Sequence, residues 1–315
     1  MTLLDQPGLD PDLLARAKAA DAGARRVALI EAYDEAELYR DLFVAAARDP
    51  DAGVRVEAAR GLEGVTTEAA VGALVALLDD SDEEVRAVAA EALSEIPVRD
   101  AGPLLVRHLS TATGAARGAL LAALRELRLV EALEPARDAL TDALPDVRRE
   151  AVGVLGYLQD ERAADDLAQS ATRDESAAIR RAAVGALAFS QAPASRAAII
   201  AALDDPDWQT REAAAETLGR MRAGDAVAAL IASLSDSFWQ VRLKAAQALG
   251  LIGDPAAARA LVEAFDHPIG NLRREIVNAL AALPAPEASA LFEKAASDPD
   301  LDVRKAAARA LATRR

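Results

Sequence analysis

Val241-Arg242-Leu243-Lys244-Ala245-Ala246-Gln247-Ala248-Leu249-Gly250-Leu251-Ile252-Gly253-Asp254-Pro255 is the stretch that decides the fold. Val241, Ala245 and Leu249 are spaced by four, so they share one face of a helix. Ala, Leu, Lys and Gln are good helix formers. A glycine then ends the helix, and Asp254-Pro255 opens a new one.

Arg242 belongs to a series. Arginines recur at Arg55, Arg86, Arg117, Arg148, Arg180, Arg211, Arg242, Arg273 and Arg304, always 31 residues apart except for 32 between Arg148 and Arg180. Seven residues after each stands a leucine, from Leu62 to Leu311. The residue before the arginine is usually apolar, as at Val54, Val85, Val147, Ile179, Leu272 and Val303. Three after it is mostly alanine, as at Ala58, Ala89, Ala151, Ala183, Ala214 and Ala307. The alanine row permits close helix approach while the larger residues fill each layer.

A second apolar pair lies twelve and eight residues upstream, as in Phe43 and Ala47, Leu74 and Leu78, or Leu230 and Leu234. Each unit therefore reads as helix A, a short turn and helix B. Near Arg180 the pair moves to Leu167 and Ala171, which places the extra residue near 172–176. The thin helix A faces at Ala136 and Ala171 predict layers of lower local stability. Asp49-Pro50-Asp51, Asp80-Ser81-Asp82, Asp205-Pro206-Asp207, Asp236-Ser237 and Asp298-Pro299-Asp300 precede helix B, where acidic residues cap exposed N–H groups. Asp21-Ala22-Gly23-Ala24-Arg25 echoes residues 51–55 and marks a degenerate first unit. The expected fold is all-α: a right-handed superhelical solenoid of about ten antiparallel helix pairs. It is one domain over 1–315, with a capping unit at 1–40 and nine regular units over 41–315.

Composition agrees. Hydrophobic residues make up 52% of the chain but aromatics only 3%, so thin helix layers fit better than one thick core. The formal charge of -15 disfavours a dominant phosphate-backbone contact. Without cysteine there is no disulfide framework, thiolate nucleophile or Cys metal site. No run of apolar residues reaches membrane-spanning length, and the acidic start of the chain lacks a signal-peptide pattern. A cytoplasmic location is expected.

The unit Asp-x-x-x-x-Val-Arg-x-x-Ala-x-x-Ala-Leu-Gly-x-Ile-Gly-Asp-Pro resembles the short HEAT-like repeat of phycobilisome bilin lyases, over about residues 40–315. The resemblance implies the fold; such repeats serve as scaffolds, enzyme subunits and chaperones. Deoxyhypusine hydroxylases have a similar architecture but carry His-Glu pairs for iron. His108 is followed here by Leu109 and His267 by Pro268, so the comparison implies that this activity is absent.

Chemistry-bearing residues are sparse. The arginine ladder reads as a stacking device, each guanidinium meeting an aspartate of a turn or neighbouring repeat, rather than as an anion-binding stripe. His108 and His267 lie five units apart in no zinc pattern, and His267 replaces the usual turn aspartate. Adjacent carboxylates such as Asp165-Asp166 do not share a helix face, and no phosphate loop or nucleophile elbow is present. No catalytic residue, metal or cofactor is expected.

The partner-binding candidates are Trp208, Phe238, Trp239, Leu243 and Met221. Trp208 and Trp239 stand three before successive arginines and predict a contiguous apolar patch; the alternative is that they close the ends of the inter-repeat core. Arg149 and Arg181, one after ladder arginines, join a row of mixed charge expected on the concave face. That row includes Gln247 and Asn278, five after theirs. Tryptophans near a basic groove also occur in HEAT-like DNA glycosylases, but mixed signs make nucleic acid an unlikely partner here. Residues 1–80 carry 16 acidic and 8 basic side chains, whereas residues 251–315 carry 9 of each. The leading function is a non-enzymatic scaffold or adaptor for another protein. The alternative is a bilin lyase-like subunit or cofactor-attachment chaperone.

Overall fold

The computed structural model describes residues 9–96 and 98–313; the side chains of residues 98–100 and 287 lie outside that description. The described residues form helices and turns, with no strand among them. The chain divides into two compact units, residues 1–158 and 159–315.

The first unit holds α1 (Pro11–Arg16), α2 (Ala22–Glu31), α3 (Ala36–Ala46), α4 (Ala52–Gly61), α5 (Glu68–Leu77), α6 (Glu83–Ser94), α7 (Val98–Leu109), α8 (Gly114–Leu124), α9 (Leu133–Ala139) and α10 (Pro145–Leu158). The second holds α11 (Ala164–Arg173), α12 (Ala177–Ala186), α13 (Pro193–Ala201), α14 (Trp208–Arg220), α15 (Val227–Ser233), α16 (Trp239–Ile252), α17 (Ala258–Glu263), α18 (Gly270–Ala282), α19 (Ser289–Ala295) and α20 (Leu301–Thr313). Odd helices are the A members and even helices the B members. Short 3₁₀ turns open several A helices, as at Gly224–Ala226 before α15.

Each B helix buries the face its periodicity marks. The leucines from Leu62 to Leu280 are buried, as is the alanine row between them. A fully buried leucine contributes about 1.5–3 kcal/mol. Leu311, in α20, is half-buried. Thr210 takes the place of the usual valine before its arginine and is fully buried; its hydroxyl bonds Asp207 Oδ2 at 3.0 Å. Ala136 and Ala171 are both fully buried. The extra residue near Arg180 is absorbed by α11, which runs on to Arg173. From Asp174 onward the usual register resumes, with Arg180 Nη1 donating to Asp174 O at 2.8 Å.

Two glycines of the opening stretch have distinct roles. Gly253 has φ +80° and caps α16 in the left-handed conformation. Gly250 lies inside the helix, where a Cβ would stand 2.8 Å from Ala279 Cα of α18. Gly219 holds α14 against α16 in the same way, 2.7 Å from Ala248 Cα.

In the first unit, Glu57 is almost fully buried yet satisfied. It accepts from Tyr33 Oη at 2.5 Å, Arg26 Nη2 at 3.0 Å and Arg60 Nη1 at 3.1 Å. Burial by itself would raise its carboxyl; these donors outweigh burial and hold it below the ordinary value.

Candidate functional site

The arginine ladder is a chain of cross-repeat ion pairs. A ladder arginine at position i grips a carboxylate near i+25 through Nε and Nη2, and its Nη1 donates to the carbonyl at i−6. Arg55 meets Asp80 at 2.7 and 2.8 Å. Arg180 meets Asp205 at 2.7 and 2.8 Å, Arg211 meets Asp236 at 2.6 and 2.9 Å, and Arg273 meets Asp298 at 2.8 and 2.7 Å. Arg25 repeats the pattern with Asp49. Arg117 makes a single longer bond to Asp142 at 3.2 Å. Arg86 and Arg304 donate to the carbonyls of Asp80 and Asp298. Arg148 belongs to the same series, donating to the carbonyl of Asp142 at 2.9 Å.

The same aspartates order the turn. Asp236 Oδ1 also accepts from the N–H of Phe238 at 2.8 Å, and Asp205 Oδ1 from that of Asp207 at 2.8 Å. The helix N-cap is a different residue, two positions on: Asp51, Asp82 and Asp207 accept from N–H groups of their helices' first turn. Burial alone would raise the Asp236 carboxyl. The Arg211 guanidinium and the Phe238 N–H outweigh it and hold the group below the usual carboxylate value.

Two turns lack the rung aspartate, at Thr111 and His267. Arg86 and Arg242 are the arginines 25 residues before these turns. His267 Nδ1 accepts from Ile269 N–H at 3.2 Å, so it orders the turn as an aspartate would. Burial, then the nearby Arg242 and Arg273 guanidinium groups, push the imidazole below its ordinary value.

Aromatic residues gather at the same edge. Trp208 is the first residue of α14 and Phe238 the N-cap of α16. Their rings stack at 5.3 Å between centroids, 8° from parallel, and the Arg211 guanidinium lies 5.7 Å from the Phe238 centroid. Phe238 is 40% exposed; Trp208, Trp239 and Leu243 are half-buried. Phe238 and Ile269 occupy N-cap positions without offering a capping side chain. One repeat beyond Trp239 stands Gly270, where a Cβ would run into the Asp300 carboxylate, so the aromatic row stops there.

The patch differs from its expected form. Trp208 packs on Phe238, the residue before Trp239, because the first residue of one B helix meets the N-cap of the next. Met221 is the C-cap of α14, thirteen residues and about 20 Å of helix from Trp208, so it stands outside the patch. Arg181 Nη1 donates to Gln209 Oε1 at 2.6 Å, beside Trp208. Arg149, in the first unit, is exposed and spans Asp146 and Glu150 at 3.2 Å each. Gln247 and Asn278 line a groove of about 330 Å³ between α16 and α18 with Glu275 and Leu251. Among the described residues, no three His, Asp or Glu side chains cluster as metal ligands, and no helix is long and apolar enough to cross a membrane.

The family model for HEAT repeats matches residues 40–125, 108–188, 133–205 and 196–274. The chain is a HEAT-repeat protein. An engineered protein is similar to it at 20% identity, with TM-score 0.56, covering 96% of this chain and 97% of the other. YibA of Escherichia coli is similar at 16% identity, with TM-score 0.54, covering 84% of this chain and 98% of its own. At such identities the likeness is one of fold. No curated protein matches the chain. HEAT-repeat proteins generally act as scaffolds for protein interaction, and their all-helical α-solenoid architecture is that of the present chain.

Proposed function

We propose that this HEAT-repeat protein is a non-enzymatic scaffold that binds another protein through the edge formed by Trp208, Phe238 and Trp239. The observation that carries the reading is the stacked Trp208–Phe238 pair. Aspartate stands at the N-cap of α4, α6 and α14, where it satisfies helix N–H groups. At α16 the N-cap is an exposed aromatic that caps nothing. Losing such a cap costs about 1 kcal/mol, and the ring stack on Trp208 returns only a similar amount, so stability alone does not select an aromatic here. Aromatic residues in a polar surround are the side chains that most often anchor protein partners.

The test is affinity capture with the wild-type chain and a Trp208→Ala/Phe238→Ala variant, followed by direct titration of the captured protein after purification. A partner lost by the variant, with helical circular dichroism intact, supports the scaffold. Equal binding by both chains removes this edge from the reading. A coloured, covalently modified partner would instead support the bilin lyase-like alternative.

A further inference from the structure

Arg242 breaks the ladder in a way that points to a ligand. Among the described ladder arginines, its side chain is the one with no hydrogen bond and no ion pair; its Nε is buried without a partner, as is that of Arg117, whose Nη1 nonetheless meets Asp142. The carbonyl of Asp236, six residues back, does not receive it as the carbonyl of Asp205 receives Arg211 at 2.7 Å. The rung residue His267 cannot help. Its Nδ1 accepts from Ile269 N–H, so the neutral ring carries its proton on Nε2 and has only a donor left to offer. A second donor cannot neutralise a guanidinium, so the charge of Arg242 has no acceptor on its own rung.

The surroundings specify that acceptor. The neighbouring rungs show what this guanidinium geometry grips: a planar carboxylate held by Nε and Nη2 at 2.6–2.9 Å. The Nε of Arg242 is closed to solvent but its two Nη groups are not, so a carboxylate from outside meets the guanidinium through them. On α16 it lies three residues from Trp239 and four from the exposed Phe238, which places apolar surface on the same helix face.

We propose that Arg242 is an open rung, filled by an aspartate or glutamate side chain of the partner protein whose apolar neighbours lie on the Trp208–Phe238–Trp239 edge. This inference rests on the scaffold reading and adds the chemistry of the partner.

The only two tryptophans of the chain, Trp208 and Trp239, are both at the site, so intrinsic fluorescence reports occupancy without a label. The probe is a set of peptides selected from a random 12-residue display library against the full chain, then synthesised with each acid and with its amide (Asp→Asn or Glu→Gln). The expected selection carries an acid within three residues of an aromatic or large aliphatic residue. Replacing that acid by its amide weakens binding about tenfold. Arg242→Met weakens the acidic peptide by a similar factor and leaves the amide peptide unchanged. His267→Asp fills the rung from within: it raises the melting temperature and lowers affinity for the acidic peptide, a combination that a folding defect cannot produce.

Equal affinity of acid and amide peptides overturns the proposal, as do basic or unenriched selections or unchanged binding by His267→Asp. Inorganic phosphate that competes as strongly as the acidic peptide assigns the rung to a free anion and equally overturns it. Peptides lost on Trp208→Ala/Phe238→Ala but indifferent to Arg242→Met and His267→Asp retain the scaffold edge and remove the open rung. Peptides indifferent to all of these variants remove both.

Discussion

The rungs Arg211–Asp236 and Arg242–His267 occupy successive turns of the same repeat array and differ in almost every bond. In the first, one carboxylate neutralises a guanidinium, orders the next turn through the Phe238 N–H and is itself shielded from water. In the second, the imidazole orders the turn and does nothing for the arginine. The two tasks of the rung residue are therefore separable. Any side chain with an acceptor two residues before the N-cap can shape the turn, but only a carboxylate can bind successive repeats electrostatically.

The largest effect should follow from breaking the intact rung. Asp236→Ala leaves Arg211 partly buried without its partner and frees the Phe238 N–H. Removing one member of such a pair costs about 2–4 kcal/mol, read as a lower urea midpoint for the chain.

Acid should separate the two rungs by pH window. His267 has a folded value below 6.5, so the unfolded chain takes up its proton first as pH falls. Stability is full above about pH 6.5 and declines as the pH drops toward the folded value. Asp236 and Asp298, held below 3.8, surrender their contribution only in stronger acid. Melting temperatures between pH 7 and 5 should decline for wild type and stay flatter for His267→Asp; equal slopes would remove His267 as the source.

Phe238→Asp should change stability least. A restored N-cap gains about 1 kcal/mol, and the lost ring stack gives back about 0.5–1.5 kcal/mol. A net shift within about 1 kcal/mol, together with loss of the captured partner, would show that the aromatic is kept for binding. A large loss of stability would mark it as a core residue instead.

The helix pairs were legible because every unit repeats the same spacing, so one reading of Val241–Pro255 serves the whole array. The turns were half legible. The ladder reads as arginines meeting turn aspartates, but helix-start rules do not say which aspartate of a turn is the rung and which the cap: Asp80 and Asp236 hold an arginine 25 positions earlier, and the cap stands two residues on. The signal was present in the joint spacing of Asp and Arg, and in its interruption at Thr111 and His267. The aromatic set was legible, but which of its rings stack was not. Equivalence of Trp208 and Trp239 suggests that like packs on like, whereas stacked B helices meet first residue to N-cap. Met221 lies in the turn between the two B helices, but the thirteen residues of α14 separate it from Trp208. The orphaned Arg242 Nε depends on atomic accessibility and has no counterpart in spacing.

Gly219 and Gly250 bring α14, α16 and α18 into main-chain contact, with no room for even a methyl group between them. Helices so tightly clasped have little freedom to slide. The Trp208–Phe238 edge is thus carried on a stiff mount whose shape is set before any ligand arrives. Association then loses little internal motion on this side of the complex, and a small contact area suffices for selective capture.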